Sequence, residues 1–284
     1  MKKQYGILAY PAGHSLSPVM HNAAFKALKI DAEYKVFEIS KADFTDFVEY
    51  ARDPLIGGFS VSLPYKELIV DYLDDVDDDA MRIGAVNTVV NKNGALFGYN
   101  TDFIGATRAL TGIRGGLKGK VVVILGAGGV ARAIAYGLLA EGADVWIKNR
   151  TRPKADRIAV EFAEMFDSEI HSDDWDNWQT GDILINATSF WLENKDLGAT
   201  ELPDFCDESF VKDFETVMDV GYNSHMKNFP DPLMTPLLLV AKEVGCKVIT
   251  GDKMLLYQAA EQFKLWTGKK APMEVMSRAL KKAL

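Results

Sequence analysis

One stretch in the middle of the chain restricts its fold more than any other. Residues 121–125 are an unbroken apolar run rich in β-branched side chains, which is typical of a strand buried on both faces of a parallel sheet. The glycine motif Gly126-x-Gly128-x-x-Ala131 follows, and apolar residues then recur at helical spacing as far as Gly142. The sequence therefore predicts a strand, a tight turn and a helix N-terminus in direct succession.

This succession suits the pyrophosphate of a dinucleotide. Glycines in the turn let the backbone approach the ligand closely, and the N–H groups and dipole of the helix attract phosphates. The alternative is a turn whose glycines serve only packing, but a flanking strand and helix favour the dinucleotide. We therefore predict a Rossmann-type domain.

The end of the next predicted strand, residues 143–148, indicates which dinucleotide binds. About 20 residues past the first glycine, an NAD site usually carries Asp or Glu, whose carboxylate bonds the ribose 2′-hydroxyl. This chain instead continues with Asn149-Arg-Thr-Arg-Pro-Lys154. Its three basic side chains can neutralise a 2′-phosphate, and its threonine can donate a hydrogen bond to it. The prediction is NADP, and a solvated basic turn is the alternative.

The whole chain restricts the class of protein further. At 284 residues it is long enough for two modest domains, and its formal net charge of −8 argues against a nucleic-acid surface. Its two cysteines, Cys206 and Cys246, suit the reducing cytoplasm. No stretch has the apolar length of a signal peptide or a membrane span, and the four scattered histidines lack metal-ligand spacing. We therefore expect a cytoplasmic protein with no membrane, nucleic-acid or metal partner.

Two serines precede the first predicted helix. Ser17 followed by Pro18 is typical of an N-cap and the first helical residue, so capping alone explains Ser17. Ser15 is not needed for that cap. A second hydroxyl beside a helix N-terminus indicates an anion site.

Further polar residues follow predicted strands in the first hundred positions. Lys66 comes just after the strand 55–63, at the carboxyl end where α/β sheets place their ligands, although a surface lysine is the ordinary alternative. Asn87 and Asp102 accompany two further short strands, where turn chemistry is the alternative. Lys66, Asn87 and Asp102 are thus candidate site residues.

Five motifs, in order and spacing, resemble those of the shikimate dehydrogenase family. They are His14-Ser-Leu-Ser-Pro18, Ser62-Leu-Pro-Tyr-Lys66, Ile83-Gly-Ala-Val-Asn-Thr88, Gly98-Tyr-Asn-Thr-Asp102 and Gly126-Ala-Gly-Gly-Val-Ala-Arg132. The resemblance implies reversible NADP-dependent reduction of 3-dehydroshikimate to shikimate, a step toward chorismate and the aromatic amino acids.

The same resemblance implies an α/β fold with two domains. The substrate-binding catalytic domain is expected to comprise residues 1–104 and 252–284, and the doubly wound Rossmann domain that binds NADP residues 105–251. The C-terminal helices are expected to return to the first domain.

Site residues are implied position by position. Lys66 and Asp102 form the catalytic pair, in which the ammonium assists the carbonyl oxygen as it becomes negative and the carboxylate orients the ammonium. The substrate carboxylate is assigned to Ser15, Ser17 and Tyr222, and the ring hydroxyls to Ser62, Asn87 and Gln258. The cofactor is assigned to Gly126, Ala127, Gly128, Gly129, Val130, Ala131, Asn149, Arg150, Thr151, Arg152, Lys154, Thr188 and Gly251.

Several features depart from the family pattern. Ser60 and Ser62 stand where many members carry Asn and Thr, and loss of the amide at position 60 is expected to loosen recognition of the ring hydroxyls. Large aromatic residues begin at Phe190, beside the segment expected to meet the nicotinamide, and the loops 190–209 and 223–234 are long.

These departures leave two alternatives. The nearer one is a dehydrogenase for quinate or another cyclic polyol acid. The more distant one is a catalytically silent NADP-binding protein that reports redox state through a partner, which the retained Lys66 and Asp102 disfavour. The oligomeric state stays open, and a homodimer is one possibility.

Overall fold

The computed structural model describes residues 2–13, 15–111, 116–168, 170–173, 180–190, 207–221 and 231–284. The chain divides into two compact units, one made of Met1–Asp102 with Leu256–Leu284 and the other of Phe103–Leu255. These divisions differ by a few residues from the expected boundaries at 104 and 252. The residues after 255 belong to the first unit, as the expected return of the C-terminal helices requires.

The first unit is built on a six-stranded mixed sheet in the order β2-β1-β3-β5-β6-β4. Strands β1, β2 and β3 run parallel, whereas β5 is antiparallel to both β3 and β6. Its elements are β1 (Lys3–Ala9), α1 (Ser17–Ala27), β2 (Ala32–Glu38), α2 (Phe44–Tyr50), β3 (Ile56–Val61), a 3₁₀ helix (Leu68–Tyr72), β4 (Asp75–Val76), α3 (Asp78–Ile83), β5 (Thr88–Lys92) and β6 (Ala95–Tyr99).

The second unit is built on a six-stranded sheet that is parallel throughout, in the order β12-β11-β10-β7-β8-β9. Its elements are α4 (Asp102–Leu110), β7 (Val121–Leu125), α5 (Gly129–Ala140), β8 (Asp144–Lys148), α6 (Arg152–Phe166), β9 (His171–Asp173), β10 (Ile183–Asn186), α7 (Glu208–Val211), β11 (Thr216–Asp219), α8 (Pro236–Glu243) and β12 (Lys247–Ile249). Helices α9 (Gly251–Thr267) and α10 (Met273–Ala283) complete the chain.

This second sheet has the strand order of dinucleotide-binding folds, in which the order reverses between the first and fourth strands. The reversal lies between β7 and β10, whose carboxyl ends are therefore the expected ligand position. Strand β7 forms because its apolar run fills both faces of the sheet, and four of its five residues are 0% exposed. The predicted α/β fold with a Rossmann-type domain is confirmed.

The C-terminal helices pack on the first unit. The indole Nε1 of Trp266 on α9 donates to the Val89 carbonyl of β5 at 2.9 Å, and α10 packs against α1. A side chain at Gly58 of β3 would lie 2.7 Å from the same indole nitrogen, so glycine is needed where this helix crosses the sheet.

Some local predictions were wrong. Ser17 is the first residue of α1 rather than its N-cap, and the N-cap position is Leu16. No side chain caps this helix, and Ser15, which was not needed for the expected cap, accepts a hydrogen bond from the Ser17 N–H at 3.3 Å. Short elements without a clear hydrophobic period were missed, namely α3, α7, β4 and β9. Within the described part of the chain, no helix has the length and apolar character needed to cross a membrane.

Candidate active site

A buried ion pair joins Lys66 to Asp102. The ammonium Nζ of Lys66 lies 2.6 Å from Oδ2 of Asp102, and only 10% and 6% of the two side chains are exposed. An isolated charge buried this deeply is costly, and the close contact between the two charges offsets much of that cost. The sequence predicted both residues, and the alternative of a surface lysine is wrong because the side chain is buried.

Neighbouring elements hold the two charged residues in place. The Tyr65 hydroxyl donates to the Ile39 carbonyl at 2.5 Å, and the Lys66 carbonyl accepts the Val86 N–H at 2.8 Å. Asn100 accepts the backbone N–H of Asp102 at 2.9 Å, which fixes the start of α4. Asn100 therefore stabilises the turn that leads into α4, because its side chain bonds the backbone two residues further on.

Asn87 contacts the ion pair from its other side. Its Nδ2 donates to Oδ1 of Asp102 at 2.8 Å and lies 3.4 Å from Oε1 of Gln258 on α9. The backbone N–H of Thr101 donates to Oδ1 of Asn87 at 2.8 Å. Because an N–H can only donate, this contact orients the Asn87 amide with its NH₂ toward the carboxylate. The structure thus brings Lys66, Asp102, Asn87 and Gln258 together.

A second layer of polar residues lies behind Asn87. Ser60 bonds the Tyr34 hydroxyl at 2.6 Å and donates to Oε1 of Gln262 at 2.9 Å. Burial raises the pKa of the Tyr34 hydroxyl, and the hydroxyls of Ser60 and Ser17 counter only part of that rise. The sequence analysis missed Tyr34 and Gln262; the signal available was that Gln262 follows Gln258 by one helical turn and so shares its face.

The other substrate positions are less closely connected. Ser17 is 3% exposed and Ser15 is half-buried, both at the N-terminus of α1. Ser62 is half-buried just beyond β3, and no hydrogen bond joins its side chain to the Lys66 group among the described residues. Tyr222 lies outside the described residues, as do most of the loops 190–209 and 223–234.

The glycine turn of the second unit has the form a pyrophosphate needs. Gly126 has φ +111°, and a Cβ there would lie 3.0 Å from the Ala187 carbonyl oxygen. A Cβ at Gly128 would meet nothing within 4 Å, so open space lies above the turn. Gly128 is the N-cap of α5 and provides no side-chain cap, so the first N–H groups are left for a ligand. The predicted turn segment of Gly129, Val130 and Ala131 forms the first turn of α5.

The basic run follows β8 at the neighbouring carboxyl end. Arg150, Arg152 and Lys154 are all exposed, and Arg152 lies 3.5 Å from Asp156 and 3.9 Å from Asp173. Asn149 donates to the Thr151 carbonyl at 2.9 Å, which shapes the turn. These exposed cations and the open glycine turn fit the 2′-phosphate and pyrophosphate of NADP.

Two further predicted cofactor residues lie beside the same sheet edge. Thr188 follows β10, and its hydroxyl donates to Oδ1 of Asn186 at 2.7 Å. Gly251 begins α9, where a Cβ would lie 2.5 Å from the Val220 carbonyl oxygen. Close packing thus requires a glycine at this position, and its predicted role in cofactor binding is a separate question. No cluster of metal-ligating side chains occurs in the described ranges of the chain.

Comparisons with known proteins agree with this arrangement. Family models described as the shikimate dehydrogenase substrate binding domain, the shikimate/quinate 5-dehydrogenase and the shikimate 5′-dehydrogenase C-terminal domain match residues 7–89, 109–193 and 253–281. The shikimate dehydrogenase (NADP(+)) of Pyrococcus furiosus is 42% identical over 276 residues, which cover 97% of this chain and 94% of that relative. The chain belongs to the shikimate dehydrogenase family.

Solved structures extend the similarity across the whole chain. A shikimate 5-dehydrogenase from Thermus thermophilus, in complex with NADP(H) and shikimate, is 35% identical with a TM-score of 0.83, covering 100% of both chains. A ligand-free 5-ketofructose reductase of Gluconobacter sp. strain CHM43 is 31% identical with a TM-score of 0.81, covering 100% of this chain and 99% of that one. Relatives that are about 40% identical are named shikimate dehydrogenase (NADP(+)), and this chain is accordingly an NADP-dependent oxidoreductase, which confirms the prediction for the cofactor.

Proposed function

We propose that this chain catalyses the reversible NADP-dependent reduction of 3-dehydroshikimate to shikimate, in the supply of chorismate and the aromatic amino acids. The observation that carries the proposal is the buried contact of Lys66 with Asp102, oriented by Asn87, in a chain of the shikimate dehydrogenase family. Because apolar packing of the same volume is often at least as stable as a buried ion pair, the pair favours a catalytic role over a protein that only binds NADP.

Lys66 is the proton donor in this proposal. Reduction of a ketone leaves an oxygen that becomes negative, so a positioned acid lowers the barrier. NADPH supplies the hydride when it is bound. The Lys66 ammonium carries three N–H donors, of which one is committed to Asp102 at 2.6 Å. Another can donate to the carbonyl oxygen and pass its proton as the charge develops.

Asp102 and Asn87 hold that donor in the productive direction. Oδ2 of Asp102 accepts from Lys66 while Oδ1 accepts from Asn87 at 2.8 Å, so the carboxylate cannot rotate without losing a contact. The negative charge of Asp102 also stabilises the ammonium until the substrate oxygen needs the proton. In the oxidation of shikimate the same groups act in reverse, with Lys66 receiving the hydroxyl proton.

The remaining predicted residues bind the ends of the substrate and the cofactor. Ser15, Ser17 and Tyr222 are proposed for the substrate carboxylate, and Ser62, Asn87 and Gln258 for the ring hydroxyls. The segments 126–131 and 149–154, with Thr188 and Gly251, are proposed for NADP. The position of Ser15 and Ser17 at the N-terminus of α1 supports their role, because that end attracts anions.

The direct test is a spectrophotometric assay of NADP⁺ reduction with shikimate. We expect turnover with shikimate and NADP⁺, and a strong preference for NADP⁺ over NAD⁺ at equal concentration. NADP⁺ that binds without turnover of shikimate or a related acid would instead support the redox-sensing alternative.

A second candidate is a dehydrogenase for quinate or another cyclic polyol acid. Position 60 is a serine, which is smaller than the asparagine of many family members and has no amide. Its hydroxyl bonds Tyr34 and Gln262. The similarity to a 5-ketofructose reductase supports this candidate, because that protein has a similar fold and a different carbonyl substrate. Rates with shikimate and quinate, measured side by side, separate the two candidates.

We also propose a cytoplasmic protein that binds small molecules rather than nucleic acid or membranes, with a homodimer as the oligomer to test. The net charge of −8 and the two cysteines support the first part. Size-exclusion chromatography with light scattering measures the second.

A further inference from the structure

Gln262 is a buried amide that no motif of the sequence indicates. It lies on α9, one helical turn beyond Gln258, and is 1% exposed. Its Nε2 donates to the Asn87 carbonyl at 3.2 Å and to Oγ1 of Thr88 at 3.1 Å. Its Oε1 accepts the Ser60 hydroxyl at 2.9 Å. A buried amide with three partners is held in one orientation, because every alternative leaves a polar group unsatisfied.

The direction of these hydrogen bonds is set by the backbone. A carbonyl oxygen can only accept, so the NH₂ group of Gln262 must face Asn87. Since Thr88 accepts from Gln262, its own hydroxyl proton is directed to Oδ1 of Asn87, 2.7 Å away. Nδ2 of Asn87 then faces Asp102. Gln262 therefore holds Asn87 at its backbone carbonyl and, through Thr88, at its side chain, and it does not touch Asp102.

The same amide also determines what Ser60 can do. The Ser60 hydroxyl gives its proton to Gln262 and bonds the Tyr34 hydroxyl at 2.6 Å. Position 60 carries an amide in many family members, and in this chain an amide from α9 lies within hydrogen-bonding distance of that position instead. This hydrogen bond joins two residues that are 202 positions apart in the sequence.

We propose that Gln262 is a positioning residue for substrate recognition, which holds Asn87 through its carbonyl and through Thr88 and so replaces the amide missing at Ser60. The inference rests on the proposed function, since Asn87 is taken to bind a ring hydroxyl. The Lys66–Asp102 contact is direct and does not pass through Gln262. Loss of the amide should therefore affect substrate affinity more than turnover.

The first variant is Q262M, because methionine preserves much of the buried volume and removes the hydrogen bonds. We expect KM for shikimate to rise by roughly tenfold, kcat to fall by less than about threefold, and KM for NADP⁺ to stay unchanged. K264M is the matched control on the same helix, since Lys264 is 67% exposed and pairs only loosely with Glu261 at 3.9 Å. It should behave as the unaltered protein does.

The second variant tests whether the amide can be moved back. S60N alone should raise KM for shikimate, because a second amide then competes for the space of Gln262. The double variant S60N/Q262A restores an amide and removes the competing one, and its KM should return to within about threefold of the unaltered value. A purely structural role for Gln262 predicts additive losses in this cycle instead.

The outcomes are distinguishable. If the unaltered protein does not oxidise shikimate, the proposed function fails before Gln262 is tested. If it does, an unchanged KM in Q262M, or additive effects in S60N/Q262A, overturns the inference alone. Should Q262M be poorly folded, as judged by its melting temperature, the double variant still decides, because recovery of KM requires the amide and not its origin.

Discussion

The ammonium of Lys66 lies 2.6 Å from the carboxylate of Asp102, so each buried charge is compensated by the other. Lys66 follows β3, and Asp102 is the first residue of α4. Removing one charge of a buried pair typically costs about 3–5 kcal/mol, because the other is left uncompensated. A single substitution of either residue therefore changes both turnover and stability. A double variant that removes both charges is needed to separate the two effects.

Replacing the lysine tests its role as proton donor. We expect K66M to lower kcat by about 10²–10⁴-fold with a smaller change in KM for shikimate. The double variant K66M/D102N removes both charges, so it should recover much of the lost stability while staying equally inactive. K35M is the control for loss of a lysine, since the Lys35 side chain is 42% exposed, with contacts to Glu33 at 3.7 Å and to Oε1 of Gln4 at 3.3 Å. Turnover of K66M equal to that of K35M would remove Lys66 from the mechanism.

Two glycines of the nucleotide turn should respond differently to the same change. G126A forces a side chain into φ +111° and 3.0 Å from a carbonyl oxygen, so we expect a loss of about 2 kcal/mol in the free energy of unfolding. G128A has an ordinary φ of −96° and open space around its Cβ, so its stability should not change. The methyl group then occupies space that the pyrophosphate needs, and KM for NADP⁺ should rise at least about tenfold. Urea unfolding and initial rates measure the two effects, and equal KM values for G128A and the unaltered protein would contradict the assignment.

Arg150 is an exposed cation of the basic run for which no acidic partner lies within ion-pair distance among the described residues. A charge-assisted bond to a 2′-phosphate is worth about 1.5–3 kcal/mol, so R150A should raise KM for NADP⁺ by roughly 10–100-fold. KM for NAD⁺ should stay the same, because that cofactor lacks the phosphate. R157A, an exposed arginine further along α6, is the control. A parallel loss with both cofactors would show that Arg150 acts on the fold and not on the phosphate.

His21 makes the stability of the first unit depend on pH. It stacks on Tyr34 with ring centroids 4.5 Å apart and is fully buried. Burial lowers the pKa of His21 to about 3, and the Gln262 side chain opposes only part of that shift. Below about pH 6.5, His21 therefore binds a proton in the unfolded chain and stays neutral in the folded chain. The stability that neutral His21 provides is complete above that pH and is lost as the pH falls toward 3.

The measurement for His21 is urea unfolding between pH 7 and pH 5. Each pH unit below about 6.5 should cost the unaltered protein up to about 1.4 kcal/mol more than it costs H21F, which keeps an aromatic ring and has no proton to bind. Identical slopes for the two proteins would show that His21 is not the group responsible.

Much of the fold and part of the site followed from local sequence patterns. The strand–turn–helix of β7 and α5 was predicted because the apolar run, the glycine motif and the helical spacing follow one another directly in the sequence. Ser17 was assigned the wrong capping role, because the exact first residue of a helix is not fixed by a serine and a proline alone. The element α3 was missed because six residues are too few to show a period.

The sequence by itself determined that this chain binds NADP on a Rossmann-type sheet and that Lys66 and Asp102 are its candidate catalytic residues. These features can be recognised in the sequence because turn geometry and charge type are properties of short segments. Only the tertiary structure decided that Lys66 is buried, that Asn87 orients Asp102, and that Gln262 reaches Ser60 across 202 positions of the chain. A hydrogen bond between buried side chains forms only when the donor–acceptor distance is right to within a few tenths of an ångström and one atom can donate to the other. The spacing of residues along the chain gives neither of these.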